Sequence, residues 1–437
     1  MKEREAIIVV DLGYGDAGKG SMVDFLARES GAHTVVRFNG GSQAAHSVVT
    51  SDGRQHSFSQ FGSASFLPRV RTHLSRFMLI DPIAMMEEAD HLRTIGVSDV
   101  LARTSIDARS VIITPWQVAA NRLRELARSE GRHGSCGKGV GEAYTDWVTL
   151  GEDILFAGDL LKSGVTQRKL TGLQKLKQDQ LRGLLKDLPR NEAVERELDI
   201  VYGHGVVDLA MKMYTSFVPE VEIAGHGHLS RLLAGPDTVI FEGAQGVLLD
   251  EDYGFFPHVT RGYTTSRNAD QLLHECNYSG RVTKLGVVRG YATRHGAGPF
   301  VTEDENLTET MQDVYNSTND WQQEFRVGWF DAVATRYALA VTGGVDCLAV
   351  TNVDRLLAYG PWKICEAYQH PVRRYDSLEV PKTISLERQR RVGQELRLCR
   401  PVYDELAPDR EELIERIGRN LGVPVGIVSA GPTAGDK

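Results

Sequence analysis

Near the start of the chain, Gly13-Tyr14-Gly15-Asp16-Ala17-Gly18-Lys19-Gly20 has the spacing G-x-x-x-x-G-K. It follows an apolar, β-branched run (residues 6–11) and opens a helical run (residues 19–29). A strand-loop-helix of this kind aims backbone amides and a helix N-terminus at phosphate oxygens, while the lysine neutralises their charge. An empty glycine-rich turn is the plain alternative, and the correctly placed Lys19 argues against it. Gly20 stands where ordinary phosphate loops carry the Ser or Thr that holds a metal. The metal then needs another ligand, and Asp16, inside the loop, is the candidate.

The second chemical signal is Gly40-Gly41-Ser42-Gln43-Ala44-Ala45-His46, after a second β-like run at residues 34–38. A lone histidine is more often structural than catalytic. The double glycine and the neighbouring phosphate loop favour a catalytic His46. Further strand-like runs at 238–242, 283–289, 346–350 and 425–428 each end in a polar or glycine-containing loop: EGAQG, GYATRHGAGP, TNVD and SAGP. In open α/β sheets ligands bind outside the carboxyl ends of the strands.

The elements that must position these loops read as an α/β fold: a large, mainly parallel sheet flanked by helices, with a P-loop-like phosphate loop. Residues 116–130 have helical composition, and from 169 to 213 leucines recur at helical spacing among charges, as in an outer helical layer. The charge-rich region 363–400 reads as a subdomain or insertion. With no repeat or clear linker, residues 1–437 are expected to form one domain.

The chain has 437 residues, 41% apolar and 25% charged, as expected of a globular enzyme. A net charge of −8 disfavours a general nucleic-acid binder, which needs a basic surface. The five cysteines (Cys136, Cys276, Cys347, Cys365 and Cys399) are scattered without C-x-x-C spacing. This argues against a disulfide framework or zinc site and for a reduced, cytoplasmic setting. No apolar stretch approaches the roughly 20 residues that cross a bilayer, so no membrane partner is expected.

Taken together, the chain resembles the adenylosuccinate synthetase family, in order along most of its length. The matches include the two loops above and Val35-Val36-Arg37-Phe38. They continue with Gly137-Lys138-Gly139-Val140-Gly141, then Phe241-Glu242-Gly243-Ala244-Gln245-Gly246 with Leu248-Leu249-Asp250. Pro257, Val259-Thr260, Thr264-Thr265, Thr293-Arg294 and Gly296-Ala297-Gly298-Pro299-Phe300 follow. Gly328-Trp329, Asp331, Thr351-Asn352-Val353-Asp354 and Ser429-Ala430-Gly431-Pro432 complete the set.

The resemblance implies a homodimer that uses GTP and Mg²⁺ to join inosine monophosphate to aspartate. The purine 6-oxygen attacks the γ-phosphate, and the aspartate amine then displaces that phosphate. On this pattern Asp16 is the base that removes the N1 proton and also ligates Mg²⁺. His46 is the acid that stabilises charge on the transferring phosphoryl or the 6-oxygen, and Lys19 binds phosphate. The backbone carbonyl near Ala45 completes the metal shell. GTP falls to Gly15, Ala17, Gly18, Lys19 and Gly20, to Asn352 and Asp354 at guanine, and to Ser429 and Gly431 in the loop over the base. The acceptor nucleotide falls to Gln43, Ser135, Cys136, Gln245 and Thr260.

The chain also departs from the pattern. The arginine-rich run that binds the aspartate carboxylates and touches the ribose reads Asp320-Trp321-Gln322-Gln323-Glu324-Phe325-Arg326 here. Arg326 is what remains of that cluster, so the amino-acid site is expected at Arg326 and Arg294. Bidentate grip on carboxylates is an arginine task, and weaker discrimination against 2′-deoxy acceptors is expected. The family's Gly-His-Asn-Ala-Gly-His becomes Gly41-Ser42-Gln43-Ala44-Ala45-His46. The arginine given to the partner subunit is missing from Trp147-Val148-Thr149-Leu150, and the lysine of the guanine motif is Asn352. Three alternatives follow. One is a paralogue for another purine-like nucleotide, such as deoxyguanylate or a nucleoside-antibiotic precursor, or for another amino acid. Another is a P-loop NTPase switch, and the last a catalytically dead metabolite binder. The survival of Asp16, Lys19 and His46 argues against the last.

Overall fold

The run that precedes the phosphate loop forms the strand Glu5–Asp11, buried at every residue after the first. Its apolar residues on both faces follow from its neighbours. It pairs in parallel with Val239–Glu242 on one side and Arg281–Arg289 on the other. Cys347–Thr351 adds in parallel beyond Arg281–Arg289, and Val425–Val428 beyond that. Parallel strands of this kind need cover on both faces. Helix Lys19–Ser30 packs on Glu5–Asp11 and Val239–Glu242 through a face that includes Met22, Val23 and Ala27. Helix Arg410–Leu421 packs on Val425–Val428 and buries Leu413, Ile417 and Leu421.

The structure, a computed structural model, describes residues 4–128, 136–189, 191–311, 325–357 and 359–437. The chain divides into two compact units: Met1–His33, His46–Ser57 and Leu233–Lys437 form the first, Thr34–Ala45 and Phe58–Leu232 the second. The strands above belong to the first unit. In the second, Thr34–Arg37, Arg71–Leu74, Thr104–Asp107 and Glu222–Ala224 run parallel in that order. The fold class is α/β, with mainly parallel strands and helical cover.

The leucine-rich middle forms helices Ser163–Leu181, Glu192–Tyr202 and Val206–Phe217. Leu170, Leu173 and Leu181 are buried, as the spacing requires. Lys177, 1% exposed, lies in this layer with its ammonium 2.8 Å from both Glu142 and Asp146. A buried cation persists where carboxylates compensate its lost hydration.

The charge-rich region forms a small sheet of its own in the first unit. Trp362–Gln369 pairs antiparallel with Arg374–Tyr375 and Arg400–Leu406, and parallel with Phe330–Asp331. That last contact places Asp331, which caps helix Ala332–Thr342 by accepting from Ala334 N at 2.9 Å and from the Tyr368 hydroxyl at 2.6 Å. Burial pushes the Asp331 carboxyl up to about 6. Among the described residues no helix is long and apolar enough to cross a membrane.

Candidate active site

The phosphate loop turns because Gly15 (φ 100°), Asp16 (φ 60°) and Gly18 (φ 90°) all adopt left-handed backbone. For an aspartate that conformation is uncommon and is tolerated where the surroundings enforce it. Asp11, at the end of the first strand, organises the loop. Its Oδ1 accepts from Gly13 N at 2.9 Å, and its Oδ2 accepts from Ala17 N at 3.0 Å and from Lys19 Nζ at 2.9 Å. Lys19 is 3% exposed and starts the helix. The loop therefore gathers a lysine, a helix N-terminus and backbone amides, which suits an anion.

Asp16 is anchored from two directions. Arg289, on the neighbouring strand, donates through Nε to the Asp16 carbonyl oxygen. His295 Nε2 lies 3.2 Å from Asp16 Oδ2. Burial alone would raise the Asp16 carboxyl. The hydrogen bond and charge of His295, with the Arg289 and Lys19 cations, outweigh it and hold the group below the usual carboxylate range. Asp16 is thus an anion at neutral pH.

His46 begins the strand His46–Val49, and its Nδ1 lies 2.5 Å from Glu242 Oε1, with both side chains buried. A carboxylate on Nδ1 fixes the tautomer with the proton there and orients the ring. Gly20 shows how close this histidine is to the phosphate loop. A Cβ on Gly20 would fall 2.9 Å from both the backbone carbon and the Cβ of His46. The departure from Ser or Thr at Gly20 is thereby explained: the histidine occupies that space.

The EGAQG loop packs on the same turn. A Cβ on Gly246 would lie 2.2 Å from Gly13 O and 2.3 Å from Gly15 N, and Leu248 N donates to Gly13 O at 3.0 Å. Gln245, with φ 57°, is held beside Gly15. Thr260 is tied to the same segment through its N–H on Leu249 O at 2.8 Å.

At the far strands, Asn352 has φ 56° and leads into helix Val353–Leu357, on which Asp354 is exposed. Val353 N donates to Ser429 O at 3.3 Å, and Ser429 Oγ to Gly431 O at 3.1 Å, so these two loops are neighbours.

The expected amino-acid arginines also adjoin one another, since Arg294 and Arg326 are partners across antiparallel strands. Several of their donors are engaged within the chain, while the buried Arg294 Nε has no hydrogen-bond partner among the described residues. Arg294, 1% exposed, donates to Pro299 O at 2.8 Å and His258 O at 3.3 Å and lies 4.1 Å over the Tyr14 ring. Burial lowers its guanidinium to about 10. Arg326 bonds Glu303 at 2.6 Å and the carbonyls of Gly296 and Gly298. Arg326→Ala is expected to raise KM for the amino acid more than KM for the triphosphate. Steady-state kinetics would overturn this with equal rises or none.

Of the remaining candidates, Gln43, Ala45 and Cys136 belong to the second unit. A Cβ on Gly41 would meet Gln43 Oε1 and Val140 Cγ2, each at 3.1 Å, so Gln43 lies beside the start of helix Val140–Leu150. Burial pushes the Cys136 thiol up, and Ala45 is exposed. Ser135 and residues 320–324 of the substituted loop lie outside the described residues. Asp11, Glu242, Arg289 and His295 were not expected from sequence as site residues. Asp11 had a local sign, an acid directly ahead of the glycine loop. Glu242 opens the EGAQG loop, but it lies 196 positions from its histidine and nothing local tied the two together.

Comparison with known proteins accords with this geometry. Residues 8–436 match the family model described as adenylosuccinate synthetase. Adenylosuccinate synthetases of Desulforudis audaxviator and Desulfovibrio desulfuricans are 31% and 30% identical, covering 98% and 97% of this chain and 96% and 97% of their own. Fully ligated adenylosuccinate synthetase from Plasmodium falciparum shares the fold, with TM-score 0.78, 20% identity and 98% of each chain covered. Cyanophage S-2L succinoaminodeoxyadenylate synthetase, bound to dGMP and dATP as an energy donor, also shares it, with TM-score 0.61, 17% identity and 99% and 95% coverage. The chain belongs to the adenylosuccinate synthetase family, the GTP-dependent carbon–nitrogen ligases that make adenylosuccinate from inosine monophosphate and aspartate.

Proposed function

We propose that this chain performs the family reaction in two steps on the first unit's phosphate loop. The reading rests above all on one arrangement: Asp16, Lys19 and the His46–Glu242 pair gathered around a single turn, with Gln245 packed against it. Asp16, held as an anion, takes the N1 proton of the acceptor purine, so that its 6-oxygen becomes the nucleophile. Lys19 and the loop amides hold the donor phosphates. His46, doubly protonated with Nδ1–H donated to the Glu242 carboxylate, presents Nε2–H to the transferring phosphoryl and neutralises charge there. Positioned proton transfer and preorganised charge are the main contributions a protein makes to phosphoryl transfer. The amine of aspartate then displaces phosphate from C6.

Mg²⁺ fits these residues. The ion is commonly bound through one or two carboxylates together with substrate phosphates, and Asp16 is an anionic oxygen donor inside the phosphate loop. When bound, the ion would neutralise charge on the phosphates. Its other protein ligand is assigned to the carbonyl near Ala45. Gln245 and Thr260 would hold the acceptor nucleotide, with Gln43, Ser135 and Cys136 assigned to it by family pattern. Arg326 and Arg294 would bind the amino acid.

Asp354 accepts from guanine N1–H and the 2-amino group, which adenine cannot offer. GTP is therefore expected to exceed ATP in kcat/KM, and equal values or an ATP preference would overturn the assignment. A phosphate-release screen of purine nucleotides crossed with amino acids, run with each donor, tests the whole reading. Greatest activity with inosine monophosphate and aspartate supports it. Preference for deoxyguanylate would favour the paralogue reading, which the missing arginines at Gln322, Gln323 and Glu324 motivate. We place the protein in the cytoplasm as a homodimer. Sedimentation showing a stable, fully active monomer would contradict the dimer.

A further inference from the structure

Lys437 has no role in the site as assigned above, yet it lies in the loop that follows the strand Val425–Val428. Its ammonium donates to Gly431 O at 3.0 Å and to Thr433 O at 2.7 Å. The segment is built for this. Thr433 and Asp436 bond each other reciprocally around the short turn Ala434–Asp436, and Ala430 N donates to Asp436 O at 3.0 Å. Helix Lys19–Ser30 packs against the same turn. Lys437 is partly buried, and burial lowers its ammonium to about 8, against the opposing pull of Asp436, Asp24 and Asp354. The charge of Asp354 thus reaches it, as expected from loops joined through Val353 N and Ser429 O.

We infer that Lys437 is a donor-base specificity residue that reads the guanine 6-carbonyl. The inference rests on the reading of Asp354 as the guanine carboxylate. An ammonium has three N–H donors, and the two carbonyls above take two of them. The third is available to an acceptor on the base, beside a carboxylate that takes the N1–H and 2-amino donors. Guanine presents that acceptor as O6. Adenine presents an amino group there, a donor facing a donor. Asn352 stands where the family's guanine motif has a lysine, so a cation supplied from the 431–437 loop restores a positive donor to the pocket.

The test uses Lys437→Met, which keeps the length and removes the donor, with GTP, inosine triphosphate and ATP as donors. Inosine triphosphate keeps O6 and N1–H and lacks only the 2-amino group. The expected result is a fall of about tenfold in kcat/KM for GTP and inosine triphosphate alike, the size of a lost charged hydrogen bond. The ATP value should not fall, and KM for the acceptor nucleotide and aspartate should hold. If all three donors fall together, Lys437 only braces the loop and the inference fails. If none changes, it fails as well. Asp354→Asn separates the two layers. An altered GTP-to-ATP ratio in Asp354→Asn but not in Lys437→Met overturns the role of Lys437 alone. No change in Asp354→Asn overturns the guanine reading beneath it.

Discussion

Asp16→Asn and His46→Asn are each expected to lower kcat by about a hundredfold or more, because each removes a positioned proton-transfer or charge-stabilising group. Asparagine at position 16 keeps the shape of the loop and accepts left-handed backbone at least as readily as aspartate. It cannot take a proton from the purine or hold a cation as an anion would. The change should therefore appear in kcat while the thermal midpoint holds. His46 differs because its partner is buried: without the imidazole, the Glu242 carboxylate loses a bond of 2.5 Å, and an unpaired buried charge is destabilising. His46→Gln, whose longer amide can still donate toward Glu242, separates lost chemistry from lost stability. Near-wild-type turnover in a folded Asp16→Asn or His46→Gln enzyme would show that the role assignment is wrong.

Gly20→Ser is expected to damage the enzyme comparably, although it restores the residue that ordinary phosphate loops carry. The new Cβ would fall 2.9 Å from the backbone carbon of His46, a contact the backbone must move to relieve. Misplacing a reacting group by about 1 Å can cost on the order of a hundredfold in rate. The loss should fall on kcat and not on Kd for GTP, because the phosphate-binding amides and Lys19 remain. A Gly20→Ser enzyme with normal kcat would mean that His46 need not sit where the structure puts it.

The fold was legible where local pattern and burial agree. The β-branched run before the glycine loop had to be a central strand, and parallel neighbours on both sides explain its lack of alternation. Leucine spacing in the middle read correctly as helices, but not the buried Lys177 between Glu142 and Asp146, since a lysine among charges looks solvated in sequence. At the site, residue types were legible and conformations were not. Among the described residues, left-handed backbone outside glycine occurs at Asp16, Gln245, Asn277 and Asn352. Three of these were site candidates from sequence, and strain of this kind gathers where function imposes it. The partners of two site residues, His295 on Asp16 and Glu242 on His46, lie far along the chain and are brought in only by the fold. The arginines show the same. Arg294 and Arg326 read as candidates for the amino-acid carboxylates, and the carbonyls and Glu303 that bond them in the structure had no sign in the sequence.

The central claim is that the purine 6-oxygen leaves as part of the phosphate. The most direct measurement is one turnover with inosine monophosphate carrying heavy oxygen at the 6-position, GTP and aspartate, followed by mass analysis of the released phosphate. The account predicts that every phosphate formed with the ligated product carries one heavy oxygen, and that omitting the acceptor abolishes phosphate release. Unlabelled phosphate released at the same rate without acceptor would contradict it and identify the chain as a nucleotide-hydrolysing switch.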